Sequence, residues 1–316
     1  MTTDHWTLLI HGGAGRFDPA TMSAGTDAAT RAGLDAALEA GGAVLAAGGP
    51  ALDAVEAAVR LLEDHPAFNA GRGAALTATG GIELDAAIMD GAAGRAGAVA
   101  GVGATRHPVS LARAVMEHSP HVLFAGPGAD AFALAQGLEQ AAPDWFATPD
   151  RRAQLAELLS GAAAFDSEMK YGTVGAVARD VHGHLAAATS TGGVTGKRPG
   201  RVGDSPLIGA GTWAEDAGLA VSCTGSGEQF VRAAAAAEAS ARVRLLGEPV
   251  AVAVAAALDR VRALGGTGGM IALDAAGRSA WRFATPGMNR GLARSDGTRG
   301  VAIHGDEFTG QRGADG

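Results

Sequence analysis

Lys170-Tyr171-Gly172-Thr173-Val174-Gly175-Ala176-Val177-Ala178-Arg179-Asp180 is the stretch on which the reading of the fold turns. After Gly172, small and β-branched residues predict a strand that runs to a polar turn at Asp180-Val181-His182-Gly183-His184. A second strand, Leu185-Ala186-Ala187-Ala188, leads into Thr189-Ser190-Thr191-Gly192-Gly193. The spacing is that of a hairpin with a glycine-containing loop, which sets Thr173 at the start of one strand beside Thr191 at the end of the other. Threonine is an ordinary strand residue, and either one alone reads as part of a sheet. Together, behind a glycine that leaves the preceding peptide open to attack, they form a candidate nucleophile pair.

The 316 residues suffice for one large domain or two ordinary ones with a sizeable core. A hydrophobic content of 47% excludes general disorder. The net charge of −8 supplies no basic stripe to neutralise phosphates, which argues against a nucleic-acid partner. The single cysteine, Cys223, rules out an intramolecular disulfide framework and suits a reducing compartment. Neither a signal-peptide pattern nor an uninterrupted apolar span is visible. The expectation is a cytoplasmic protein with no membrane partner.

From the amino terminus, Thr7-Leu8-Leu9-Ile10 predicts a buried strand entering His11-Gly12-Gly13-Ala14-Gly15, a poor match to a phosphate loop because no Gly-Lys-Ser/Thr follows. His11 is a candidate catalytic residue, although a lone histidine at a strand end is more often structural. A helix is expected from about Ser23 to Ala47. A second starts at Pro50, with Leu52, Val55, Val59 and Leu62 as its buried stripe. Ala74–Thr79 and Ile82–Met89 read as a hairpin closed by Gly80-Gly81, followed by a strand at Gly97–Thr105 and helices at Ser110–His118 and Ala129–Leu138. Residues 143–172 read as a surface helix and a flexible linker. Beyond the central hairpin come a polar glycine-rich loop with Lys197, Arg198, Arg201 and Asp204, and a strand, Leu219–Cys223. One long helix is then expected from Thr224-Gly225-Ser226-Gly227-Glu228 to about Leu246, its amino terminus a site for an oxyanion or carboxylate. A helix at Val250–Leu264, strands at Met270–Leu273 and Ala280–Phe283, and a loosely held tail after Arg294 complete the chain. The elements lack regular βαβ alternation, which favours a layered α+β sandwich.

Three nucleophile schemes compete. Ala188-Thr189-Ser190-Thr191-Gly192 resembles the elbow of a serine hydrolase, but an elbow needs a helix start, and Gly192-Gly193-Val194-Thr195-Gly196-Lys197-Arg198-Pro199 is not one. A metal hydrolase finds no His-Glu-x-x-His among the nine histidines. A threonine that uses its own amine as base needs only a chain break before it. A glycine-rich binding module without activity is the non-enzyme alternative.

His11-Gly12-Gly13-Ala14-Gly15, Phe68-Asn69-Ala70-Gly71, Glu83-Leu84-Asp85-Ala86, Gly172–Val177, Ala188–Gly193, Pro199–Pro206 and Ser222–Glu228, in this order, resemble the plant-type asparaginase and isoaspartyl-peptidase family of amino-terminal-nucleophile hydrolases. The resemblance covers nearly the whole chain. It implies a single-domain, four-layer αββα sandwich that cleaves itself between Gly172 and Thr173. The products are an α chain (1–172, ending in the linker at about 143–172) and a β chain (173–316), and two such αβ units pair as a dimer. It implies Thr173 as nucleophile, Thr191 as the neighbouring hydroxyl, Thr224 and Gly225 as oxyanion donors, and Asn69 beside the oxyanion and its water. Arg201, Asp204 and Gly227 would hold a small substrate, a β-aspartyl dipeptide or asparagine. The loop carrying Leu62, Glu63, His65, Phe68, Ala70 and Arg72 resembles a backbone sodium-binding loop, and no cofactor is implied for the chemistry itself. Tyr171 departs from what the family pattern leads one to expect at that position. The related glycosylasparaginases carry an Asp-Thr junction and are usually secreted with disulfides; Gly172-Thr173 and the solitary Cys223 differ on both counts.

Overall fold

The computed structural model describes residues 5–15, 17, 20, 22–161 and 172–305. In chain order the elements are β1 (Thr7–Gly15), α1 (Ala24–Ala46), α2 (Ala51–Asp64), β2 (Leu84–Asp90), β3 (Arg95–Val102), α3 (Pro108–His118), β4 (Leu123–Ala125), α4 (Gly126–Ala135), α5 (Pro143–Phe146) and α6 (Pro149–Leu159). After residue 172 follow β5 (Val174–Arg179), β6 (Leu185–Thr191), β7 (Thr212–Ala214), β8 (Leu219–Gly225), α7 (Gly227–Ala233), α8 (Ala235–Leu246), α9 (Val250–Ala263), β9 (Gly268–Asp274), β10 (Ser279–Phe283), β11 (Gly287–Arg294) and β12 (Arg299–His304).

The strands form an eight-stranded sheet, in the order β12-β11-β1-β5-β6-β2-β3-β4, and a four-stranded sheet, β10-β9-β8-β7. All pairings are antiparallel except β3 with β4. Because side chains alternate across a strand, β1 sends Leu8 and Ile10 into a core shared with α1, α2 and α3, while Leu9 enters a second core. In that second core Leu9, Val177 and Ala187 meet Ala220, Ile271 and Leu273 of the smaller sheet. On the far side of the smaller sheet, Leu219, Val221, Met270 and Ala272 pack against Phe230, Val254 and Leu258 of the helices. The result is the expected four layers, αββα.

The central hairpin forms in the register read from the sequence, with Val174 opposite Ser190 and Arg179 opposite Leu185. Other elements differ from expectation. Ala74–Thr79 is not a hairpin arm: only Thr77 makes a bridge, to Lys197, and its N–H and hydroxyl close a local turn with Gly81. The expected long helix after Thr224 is two helices, broken at Ala234 (φ 48°, ψ 46°). The break lets the first amides of α8, Ala236 and Ala237, donate to the carbonyls of Ala210 and Gly209. The stretch after Arg294 is held by β12, paired to β11 through a turn in which Gly297 (φ 87°) donates to Arg294. Within the expected linker, α5 and α6 are helical, with the Thr148 hydroxyl capping α6 at Arg151. Residues 162–171 of that linker, Tyr171 included, lie outside the described residues.

Behind the hairpin's open end, Ser222 of the smaller sheet and His11 of the larger one crowd against Gly175. A methyl group on Gly175 would sit 2.0 Å from Ser222 Oγ and 2.6 Å from His11 Nε2. Gly175→Ala should therefore force the sheets apart and cost about 1–3 kcal/mol, read as a lower denaturation midpoint. An unchanged midpoint would contradict this packing.

Candidate active site

The β5–β6 register brings the two threonine hydroxyls together. Thr173 Oγ1 donates to Thr191 Oγ1 at 3.1 Å, and Thr191 Oγ1 also accepts from the Gly193 N–H at 3.0 Å. The Thr191 oxygen thus carries two donors, one of them the hydroxyl that a base would deprotonate. The carbonyl of Gly172 accepts from the Asn69 N–H at 3.1 Å. A Cβ on Gly172 would lie 2.4 Å from Asn69 Cβ, so only glycine fits there. Both ends of the Asn69 side chain are bonded: Nδ2 donates to the Gly193 carbonyl at 2.6 Å and Oδ1 accepts from Ala75 N–H at 2.6 Å. Its backbone, and not its amide group, faces the Gly172 carbonyl.

A small cleft at this point is lined by Thr173, Thr191, Gly193, Arg201, Asp204 and Gly225, among others. Arg201 and Asp204 converge on Gly227, where a Cβ would be 3.0 Å from both Arg201 Nη2 and Asp204 Oδ1. Arg201 donates through Nε and Nη2 to the two carboxylate oxygens of Glu228, at 2.9 and 3.0 Å. Asp204 is 4% exposed, and its Oδ2 has no hydrogen-bond partner. Burial pushes its carboxyl up to about 7. Thr224 Oγ1 is likewise buried and without a partner, a donor with nothing yet to donate to. Gly225 (φ 144°) ends β8 one residue before the Ser226 cap of α7, where a Cβ would meet the Thr267 carbonyl at 2.3 Å. A larger cavity, of about 600 Å³, reaches Gly172 from another side, lined by neither Thr173 nor Thr191.

The cleft thus gathers the hydroxyl pair at the open end of β5 and β6, Gly225 at the end of β8, and Arg201 and Asp204 from the loop before β7. The model of the asparaginase family matches residues 4–303. The chain belongs to that family. It is 50% identical to the isoaspartyl peptidase of Salmonella typhimurium over 93% of this chain and 97% of the relative. The Escherichia coli isoaspartyl peptidase is also 50% identical, over 93% and 95%. A plant-type L-asparaginase of Pyrobaculum calidifontis is 43% identical, over 91% and 97%. No described helix is long and apolar enough to cross a membrane.

In this asparaginase-family chain strand alternation separates Ser190 from the threonine pair. Ser190 points to the opposite face from Thr191 and donates to Glu63 Oε1 at 2.6 Å in the helix-side core. His11 is buried beneath the site with Nε2 bonded to Ser222 Oγ at 2.8 Å. Burial holds its imidazole down to about 3, so it is neutral and not among the residues lining the cleft. Ser222 continues to Thr189 (2.7 Å) and Thr189 to Thr212 (2.7 Å), a hydroxyl chain that stitches the two sheets. Sequence reading assigned no role to Ser222, Thr189 or Thr212, because isolated hydroxyls on separate strands carry no spacing signal. Glu228 was visible as the last residue of a motif, but its bond to Arg201 is tertiary. In the loop expected to hold sodium, the carbonyls of Leu62, Glu63 and His65 accept from His65, Arg72 and Phe68 respectively. Each carbonyl keeps a second lone pair, which is what a sodium ion there would take. Glu63 itself turns its carboxylate away, to Ser190, Val109 and His107.

Asn69→Ala would leave the Gly193 carbonyl and the Ala75 N–H buried without partners. Each such group costs about 1–3 kcal/mol, and the denaturation midpoint should fall accordingly. A variant as stable as wild type would show that Asn69 is free for another role.

Proposed function

We propose that the protein is a self-processing threonine amidohydrolase acting on β-aspartyl amide bonds, as in isoaspartyl dipeptides and asparagine. The observation that carries this reading is the Thr173–Thr191 hydroxyl pair at 3.1 Å, set immediately after the glycine whose carbonyl the Asn69 N–H engages. In maturation Thr173 Oγ1 attacks the Gly172 carbonyl carbon, and the developing oxyanion falls to the Asn69 N–H. The Gly172–Thr173 C–N bond breaks as the hydroxyl proton passes to nitrogen, leaving an ester. Water hydrolyses that ester to a Gly172 carboxylate and a free Thr173 amine. The amine, with a pKa of roughly 7.7–8.0, is partly neutral near pH 7–8 and serves as the base in turnover. It takes the proton from Oγ1 as the β-carbonyl is attacked and returns it to the leaving amine. The unpartnered Thr224 hydroxyl and the Gly225 backbone supply the oxyanion donors in this reading. Water then releases aspartate from the acyl-enzyme. Two cleaved protomers pair in the active form.

Intact mass spectrometry tests the first half. Wild type should resolve into two chains divided at Gly172–Thr173, whereas Thr173→Ala stays whole and inactive; a Thr173→Ala sample that still splits there refutes the scheme.

Substrate choice follows from Arg201 and Asp204. An arginine fork takes a carboxylate and an aspartate takes an ammonium, the two charges of a free α-amino-acid head group. A substrate held so presents its side-chain β-carbonyl to Thr173, and a dipeptide linked through the α-carboxylate lacks one of the two charges. Asp204 grips the ammonium only when ionised. With its carboxyl raised to about 7 by burial, it is protonated below that pH. Inhibition by L-aspartate should weaken by about tenfold per pH unit below that value, and Asp204→Asn should remove the dependence. A flat profile from pH 5 to 8 in wild type would dissociate Asp204 from ammonium binding.

A further inference from the structure

We propose that Glu228 is a positioning residue that holds Arg201 side-on, so that the opposite edge of the guanidinium is presented to the substrate's α-carboxylate. This rests on the reading of Arg201 as the carboxylate partner. A guanidinium carries five N–H donors in a rigid plane. Glu228 engages one on Nε and one on Nη2, in parallel, at 2.9 and 3.0 Å. Three donors remain, two on Nη1 and one on Nη2, and one from each nitrogen forms the end-on edge that can donate to a second carboxylate in bidentate fashion.

The surroundings agree with that division. Arg201 lines the cleft that contains Thr173; Glu228 does not. The Arg201 side chain is 18% exposed, while that of Glu228 is 60% exposed and stands in the first turn of α7. The Nη1 end is flanked by glycines: a Cβ at Gly203 would lie 2.9 Å from Nη1, and one at Gly193 3.4 Å. A side chain at either glycine would crowd that edge, which it shares with the Lys197 ammonium on the Gly193 side. As a surface ion pair the contact would contribute little to stability, and it lowers the positive charge offered to an anionic substrate. What it supplies is orientation. An arginine on a glycine-rich loop otherwise samples many rotamers, and immobilising one such side chain on binding costs about 0.5–1.5 kcal/mol. Glu228 meets that cost before the substrate arrives.

The test uses the self-processed enzyme and two inhibitors, L-aspartate and 3-aminopropanoate, which is aspartate without its α-carboxylate. Glu228→Ala should raise KM for β-Asp-Leu about 2–10-fold, the range that the immobilisation cost converts to, with kcat falling by less. Its preference for L-aspartate over 3-aminopropanoate should shrink by the same factor. Glu228→Gln, which keeps an acceptor, should lie between the two. Arg201→Ala/Glu228→Ala should be no worse than Arg201→Ala alone, because Glu228 acts only through the arginine. A KM that falls in Glu228→Ala would make Glu228 a competitor of the substrate and overturn the proposal. An unchanged KM and preference would reduce it to a surface pair. If Arg201→Ala itself leaves the inhibitor preference intact, the carboxylate reading of Arg201 fails first, and that outcome is distinct from a failure confined to Glu228.

Discussion

The pairing register of β5 with β6 governs the rest of the site. With Val174 opposite Ser190, the next pair outward is Thr173 and Thr191, and their hydroxyls meet at 3.1 Å. A shift of one residue would turn every side chain of the strand to the other face. Ser190 would then face the smaller sheet, and Thr191 would lie against the helices. The register is secured from both sides. On the helix face Ser190 is bonded to the buried Glu63, and on the sheet face Thr189 joins the hydroxyl chain through Ser222 and Thr212. The threonine pair is thus a product of alternation, held by neighbours that take no part in the chemistry.

Small residues then decide how near other groups can come. Gly175 allows Ser222 and His11 to pass directly beneath the hairpin, and Gly172 allows the Asn69 backbone to reach the carbonyl before Thr173. At the other wall, Gly227 brings the start of α7 against Arg201 and Asp204, while Gly225 lets the end of β8 lie against Thr267 and Gly268. Backbone amides and charged side chains can share a narrow cleft only where no Cβ intervenes. The high glycine content of the motifs has this steric meaning.

Keeping polar atoms buried without partners is costly, and two such atoms belong to residues of the candidate site. Thr224 Oγ1 and Asp204 Oδ2 are both orphaned, and burial, the largest cause, pushes the Asp204 carboxyl up to about 7. Glu63, by contrast, accepts from a hydroxyl and a backbone N–H, and Lys197 donates to the Glu83 carbonyl. Unsatisfied groups beside satisfied ones mark where a ligand completes the bonding.

The amino-acid sequence by itself determined the local events: the central hairpin and its register, the α+β layering, and most strands and helices to within a few residues. These follow from alternation, helical periodicity and turn residues, all of which act between neighbours in the chain. The Asp296-Gly297 turn was equally local, and the hairpin of β11 and β12 that it closes was legible but passed over. Tertiary structure alone decided the remainder. Ala234 breaks an alanine-rich helix because the α8 amides find acceptors on Ala210 and Gly209, far away in sequence. Ala74–Thr79 is no strand because Asn69 claims the Ala75 N–H and Thr77 turns back on Gly81. Arg201 meets Glu228 across 27 positions and Ser190 meets Glu63 across 127. Such pairs follow from how two sheets stack and where loops cross, and no spacing along the chain encodes that distance.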